Sequence, residues 1–350
     1  MKKIFDKKHI TRTTTYLMVV LAYIIITVLQ KTGNLGSLFT SLLVPVCCFI
    51  VAGLGLNLNV GVSGELNLGQ AGFMSVGAFS GIIVSGLLAP AISNPIIRLV
   101  VAIVVGALVA ALFGYLIGIP VLKLQGDYLA IVTLAFGQII MSLINNFYMG
   151  FDNNGIQMSF VDNKLNLGDG GRVLVSGPMG ANGVDRISNF TMGILLVIVA
   201  LIIVYNIMYS KQGRAIMAAR DNRIAAESIG INVSKTKMLA FVVSASLAGA
   251  AGALYGLNFS TVIPTKFDFN TSILILVYVV LGGLGNMKGT IISTTLLVLL
   301  PELLRGLQTY RMIIYAVVLI IIMLVSNNDQ LKNMFSNIFK KNKKGGVENV

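Results

Sequence analysis

With 350 residues, 56% of them hydrophobic and 11% charged, and no Trp, the chain lies far from the roughly 25% charge of an ordinary soluble domain. Its mean hydropathy of +0.86, with several apolar runs near the roughly 20 residues that cross a bilayer as helix, predicts an all-α integral membrane protein, a polytopic helical bundle, and excludes a soluble enzyme and a barrel of alternating strands. The formal net charge of +13 does not point to nucleic acid, because the basic residues gather between and beyond the apolar runs, where membrane topology explains them.

The chain opens with a basic stretch, residues 1–15, followed by an apolar run from Tyr16 to Gln30. A signal peptide would have this order, but no small-residue cleavage site follows, so the run reads as an anchor that stays. The next segments are expected from Leu38 to Val60 and from Leu66 to Ala89. Cys47 and Cys48 read as small packing residues, since neighbours on a helix point apart and cannot share a metal. Between Gly53 and Gly81 eight glycines are interleaved with Asn57, Asn59, Asn67 and Gln70. Glycine lets helices approach closely and amides bond across the contact; alternatively the stretch is a broken helix whose freed backbone lines a translocation path. Both readings stay open for these four amides.

Further segments are expected from Ile96 to Ile119 and from Tyr128 to Tyr148, the latter with Asp127 placed to cap it. A polar loop at 150–188 precedes the segment Phe190 to Tyr209. The loop at 210–236 then carries GRAIMAARDNRIAAESIG, with Arg214, Arg220 and Arg223 around an alanine-rich core. Asp221 or Asn222 can start a helix there and Gly230 can stop one, so about two turns are expected over Arg223 to Ile229. Two turns are marginal in water, so something must pack against them.

Segments from Lys237 to Leu257, Phe269 to Gly282, Thr290 to Leu304 and Met312 to Val325 complete a count of about ten, ahead of a basic tail at 327–350. Gly282, Gly283 and Gly285 suit a tight reversal between two of these segments; no strand precedes them, so they are no dinucleotide fingerprint. Glu302 reads as a partner for water or Arg305. With both termini cytoplasmic, eighteen of the 26 basic residues fall on the inner side, as the positive-inside rule requires. No internal repeat is visible.

No motif suggests a reaction centre. His9 is the only histidine, the predicted span interiors carry almost no ionisable residues, and GxxxxGK[ST] does not occur, so a P-loop motor would have to come from another subunit.

GRAIMAARDNRIAAESIGINVSKTKMLAFVVSASLAGAAGALYG, Gly213 to Gly256, resembles the corresponding region of bacterial ABC-importer permeases for branched-chain amino acids, the LivM type. GLGLNLNVGVSGELNLGQAGFMSVGAFSG from Gly53, LQGDYLAIVTLAFGQII from Leu124 and VVLGGLGNMKGTIISTTLLVLLPELLR from Val279 resemble other stretches of that family in the same order. In such importers a loop of this kind couples the permease to an ATPase through a short helix. The resemblance carries that role to Gly213, Arg214, Ala225, Ala226, Glu227, Gly230, Ile231 and Asn232, with Arg220 and Arg223 beside them. The order here is Ala-Ala-Glu, and the proline of many such loops is absent.

The resemblance implies a permease subunit in a bacterial cytoplasmic membrane. It also implies ABC ATPase subunits that use ATP and Mg, a second homologous permease, and an extracytoplasmic substrate-binding protein, with no cofactor, metal or catalytic residue on this chain. Leucine, isoleucine and valine are the expected cargo; urea, short amides and other amino acids are carried by close relatives. A stand-alone secondary transporter or channel is the reading from another class, and a membrane enzyme a third.

Overall fold

The computed structural model describes residues 2–304 apart from 34–35, 125, 153–154, 161–164 and 166–170, together with 310, 313–314, 316–317 and 319–320. It divides into a main unit, Met1–Thr295, and a second, Leu296–Val350. The expected last segment, Met312 to Val325, and the basic tail beyond it lie largely or wholly outside the described residues.

Helix α1 (Lys2–Lys31) begins in the basic stretch rather than at Tyr16, because no Gly or Pro interrupts the chain before Gly33 (φ +72°). α2 (Ser37–Asn57) runs on into a single π-turn at Leu58–Val62, closed by Ser63 N–H on the Leu58 carbonyl at 3.1 Å. α3 (Gln70–Leu88) starts four residues later than the sequence suggests. α4 (Pro95–Val121) has the start its sequence announces, Asn94 Oδ1 accepting from Ile96 N–H at 3.0 Å with Pro at the first helical position. α5 (Asp127–Asn145) follows, with Gly126 as its cap; the Asp127 side chain lies outside the described residues.

Beyond α5 the polar loop is not irregular throughout. Strands β1 (Tyr148–Asp152), β2 (Gly155–Ser159) and β3 (Arg172–Ser176) form an antiparallel sheet in the order β2-β1-β3. Asp152 faces Gly155 where the first hairpin closes. A two-residue strand, β4 (Ala181–Asn182), pairs with β5 (Thr261–Val262), which tethers the loop to the chain beyond the ninth helix.

α6 (Phe190–Tyr209), α7 (Lys211–Asp221), α8 (Arg223–Ser228) and α9 (Val233–Gly256) come next. α10 (Phe269–Gly282) and α11 (Met287–Leu303) close the described helices. Seven of these, all but α7, α8, α10 and α11, contain a stretch long and apolar enough to cross a membrane. The chain is a multi-pass membrane protein, with seven such stretches among the described residues against the expected count of about ten.

α3, α4 and α9 form the centre, and glycine is the reason they can. A Cβ at Gly77 of α3 would strike the backbone of Gly249 in α9, one at Gly106 of α4 would come within 2.9 Å of the Gly77 carbonyl, and one at Gly114 within 2.6 Å of the Ala245 side chain. Lipid provides no hydrophobic drive between helices, so close backbone approach and dispersion hold such an interface. Cys47 and Cys48 are buried free thiols; Cys47 packs where α6 presents Gly193.

Candidate functional site

Beyond the π-turn and Ser63, six residues, Gly64 to Gly69, lead to α3 without regular structure. The Gln70 amide, at the start of α3, donates to the Ala52 carbonyl at 3.0 Å and the Ser244 carbonyl at 3.5 Å. Ser244 lies eleven residues into α9, about 16 Å along its axis. α3 therefore begins beside the C-terminal part of α2 and the middle of α9, and the chain ahead of it re-enters the bundle.

Irregular backbone at that depth has to find partners in the protein. Leu68 N–H donates to Thr133 Oγ1 of α5 and Ala71 N–H to Ser272 Oγ of α10, both at 3.0 Å. Gly69 N–H donates to Asn67 Oδ1 at 2.8 Å. Asn67 and Gln70 bond to each other at 3.4 Å, and Ser244 Oγ donates to Gln70 Oε1 at 3.3 Å. These are side-chain substitutes for the missing helical ladder.

Asn57 works in the other direction, across to the reversal between α10 and α11. Its Oδ1 accepts from Gly285 N–H at 2.7 Å, and its Nδ2 donates to Thr290 Oγ1 at 2.7 Å and to the Gly283 carbonyl at 3.5 Å. Gly283 and Gly285 hold φ of +91° and +80° there, while a Cβ at Gly282 would press on Thr290 N at 2.5 Å. Asn59 donates to the Glu65 carbonyl at 3.2 Å. Asn57, Asn59, Asn67 and Gln70 are all fully buried among the described residues, so in this conformation they face protein.

The second half of the site is the α7–α8 loop. Ser210 Oγ accepts from Gly213 N–H at 3.1 Å to start α7, and a Cβ at Gly213 would collide with the Ile207 and Met208 carbonyls. Asn222 Oδ1 takes Ala225 N–H and Asn232 Oδ1 takes Lys235 N–H, each at 3.0 Å, capping α8 and α9. Gly230, at φ +83°, ends α8 with Ile231 N–H on the Ala226 carbonyl at 3.0 Å, a left-handed C-terminal cap.

What steadies so short a helix is a small core of Ala219, Ala226 and Val233, with Ile231 against it. Ala225 and Ile229 are exposed; Ile224 is 81% and Ile229 74% accessible. Arg214 is exposed, and Arg223 pairs with Glu227 at 2.9 Å along the solvent side of α8, an arrangement worth about 0.3–0.5 kcal/mol.

The two halves touch. Arg220 Nη1 donates to the Gly61 carbonyl of the π-turn at 2.9 Å, and Lys237 in the second turn of α9 pairs with Glu65. Sequence reading passed over Glu65, Lys237, Thr133 and Ser272. Glu65 carried a signal, as the one acidic residue in the Gly- and Asn-rich stretch; single hydroxyls on apolar helices carry none.

The site thus joins a re-entrant segment inside an apolar bundle to an arginine-bearing loop with two unpaired isoleucines, and similar chains are membrane permeases. Residues 38–325 match the model of a family described as branched-chain amino acid transport system / permease component. The chain is 34% identical over 288 residues to the high-affinity branched-chain amino acid transport system permease protein LivM of Salmonella typhimurium and over 294 residues to that of Escherichia coli K12. Each match covers 79% of this chain and 66% of the relative, so less than two thirds of those relatives' length is spanned. A probable LivH permease of Methanocaldococcus jannaschii is 27% identical, covering 70% of this chain and 73% of its own. No solved structure gives a significant match. With the greater part of its length inside that family model, the chain belongs to the permease-component family of branched-chain amino acid transport systems.

Proposed function

We propose that the chain is the membrane-spanning subunit of an ATP-driven importer for leucine, isoleucine and valine, and that α8 is where a separate ATPase subunit presses on it. The observation that carries this reading is the geometry of α8: a six-residue helix, capped at both ends, anchored by Ala226 and presenting Ile224 and Ile229 to the outside. Apolar side chains so exposed on a basic loop fit a protein groove better than bulk water. Gly213, Arg214, Ala225, Glu227 and Asn232 support it as turn former, surface and cap. Family membership supports the cargo class and the further partners, a second homologous permease and an extracytoplasmic binding protein.

In this reading the α7–α8 loop, both termini and the 283–286 reversal lie on the cytoplasmic side of a bacterial inner or cytoplasmic membrane, and the small sheet faces the binding protein. Residues 16–326 form the permease domain, with 1–15 and 327–350 as cytoplasmic tails. Two permease halves rock between outward and inward states as ATP, with Mg, binds and is hydrolysed on the partner. Binding of ATP drives that shift only because the ATPase grips α8 differently in the two states. The amides of Asn57, Asn59, Asn67 and Gln70 belong to the segment that borders the path and moves with it.

Copurification with the candidate ATPase, followed by ATP-dependent leucine uptake in proteoliposomes supplied with the binding protein, tests this reading. Burying one isoleucine is worth about 1.5–3 kcal/mol, so Ile224→Asp is expected to weaken ATPase association about tenfold or more, with Gly230→Pro losing coupling as well. Leucine uptake by the wild type without any ATPase would overturn the assignment.

A further inference from the structure

α8 can deliver movement only through whatever anchors its two flanks, and both flanks end on the same short stretch of chain. On one side Arg220, next to last in α7, reaches the Gly61 carbonyl at 2.9 Å through Nη1. Its guanidinium is held in place by Asp221 Oδ1, which accepts from Nε and Nη2 at 3.0 and 2.9 Å. On the other side Lys237 of α9 pairs with the Glu65 carboxylate.

Glu65 is tied back to Asn59, two residues ahead of Gly61. Glu65 N–H donates to the Asn59 carbonyl at 3.2 Å, and the Asn59 amide returns the bond to the Glu65 carbonyl at 3.2 Å. Between them Gly64 sits at φ +75°, where a Cβ would meet Arg220 Cγ at 2.6 Å. Only glycine satisfies both the left-handed backbone and the approach of the arginine stem.

The three ion pairs near the loop differ in kind: Arg220 and Asp221 are 40% and 67% exposed. Arg223 and Glu227 are 43% and 49% exposed, whereas Lys237 and Glu65 are 16% and 12% exposed. Exposed pairs are screened and contribute little. A shielded pair is different: removing one partner strands a charge away from water, so the structure is driven to keep it closed. The Glu65–Lys237 link is accordingly stiff where the Arg223–Glu227 link is soft.

We propose that Arg220 and Lys237 are positioning residues that form a two-point clamp on Gly61–Glu65, so that displacement of α8 is delivered to the re-entrant segment ahead of α3. This rests on the reading that α8 meets an ATPase. The clamp stays closed through the cycle, and α7, α8, the first turns of α9 and Gly61–Glu65 move as one body. Because Asn57 sits immediately before the π-turn and bonds the 283–286 reversal, the same displacement reaches α10.

The test uses the full complex in proteoliposomes, reading three quantities in each variant: ATPase copurification, ATP hydrolysis and leucine uptake. Lys237→Met is expected to retain the ATPase and to hydrolyse ATP, while uptake per ATP falls about tenfold, the scale of a lost coupling contact. The reversed pair, Glu65→Lys with Lys237→Glu, is expected to recover most of that loss, and Lys237→Arg to behave as wild type. Arg220→Lys, which keeps the charge and loses the fork, tests the other anchor and serves if Lys237→Met inserts poorly. An unchanged uptake-to-hydrolysis ratio in Lys237→Met or Arg220→Lys overturns the clamp, as does a reversed pair no better than the single change. Failure of the wild type to copurify with the ATPase is a separate result, and it overturns the role of α8 instead.

Discussion

Gly77→Val is expected to leave little folded protein, and Gly77→Ala to lower stability by about 3 kcal/mol, the upper part of the range for over-packing. The reason is what stands opposite. A Cβ at Gly77 would overlap the Gly249 carbonyl and Cα, and these backbone atoms of α9 cannot rotate aside as a side chain would. The neighbouring contacts close off other escapes: a Cβ at Gly249 would lie 2.6 Å from the Gly106 carbonyl, and one at Gly81 2.8 Å from the Ala253 side chain. Carbon atoms rest about 3.5–4.0 Å apart, so α3 would have to move outward along much of its contact with α9. Thermal melting in detergent and the monodisperse fraction on size exclusion measure the effect. Gly36→Ala is the control, since nothing lies within 4 Å of a Cβ there, and it should melt with the wild type. Equal melting of wild type and Gly77→Val would show that the three-helix centre packs otherwise.

That centre was partly legible in the sequence. Glycines recurring through Gly53 to Gly81 announce close helix contact, and apolar length announces the spans. One cap was legible for the same local reason: Asn222 stands ahead of α8 and accepts a backbone N–H, as Asn232 and Asn94, whose capping the sequence reading passed over, do for α9 and α4. What stayed hidden depends on partners distant in sequence. The late start of α3 at Gln70 is decided by Thr133 and Ser272, single hydroxyls on apolar helices 65 and 201 residues away. The role of Ala226 against Ala219 and Val233, with Ala225 and Ile229 left outside, turns on the angle at which α8 crosses its neighbours. The sheet in the 150–188 loop did carry a signal, Asp-Asn-Asn-Gly at 152–155, but its flanks are too short and mixed for alternation to stand out. The re-entrant segment shows why a hydropathy reading has a limit here: Glu65 and Lys237 cancel each other only once the fold has brought them together.

Asn57→Leu is expected to detach the reversal between α10 and α11 while leaving α3, α4 and α9 packed. Leucine fills much of the same space, so the loss is one of hydrogen bonding. It strands Gly285 N–H, which now donates to Asn57 at 2.7 Å, and removes the donor to Thr290 Oγ1 at 2.7 Å. A buried polar group left without a partner costs about 1–3 kcal/mol, and the Gly285 N–H is the one with least recourse because φ of +80° fixes its direction. A total loss of about 3 kcal/mol follows from that range. Two measurements separate this from general unfolding. Hydrogen exchange at the 283–286 reversal should accelerate while the α3–α9 contact keeps its protection. Thr290→Val, which leaves the Asn57 acceptor for Gly285 in place, should lose less than Asn57→Leu. A double-mutant cycle with Thr290→Val isolates the amide-to-hydroxyl bond, because residues in direct contact couple and independent ones add. Additive effects would mean that Asn57 holds the reversal through Gly285 alone; unchanged exchange in Asn57→Leu would mean that the tight Gly282–Gly289 contact between the two helices holds it without the amide.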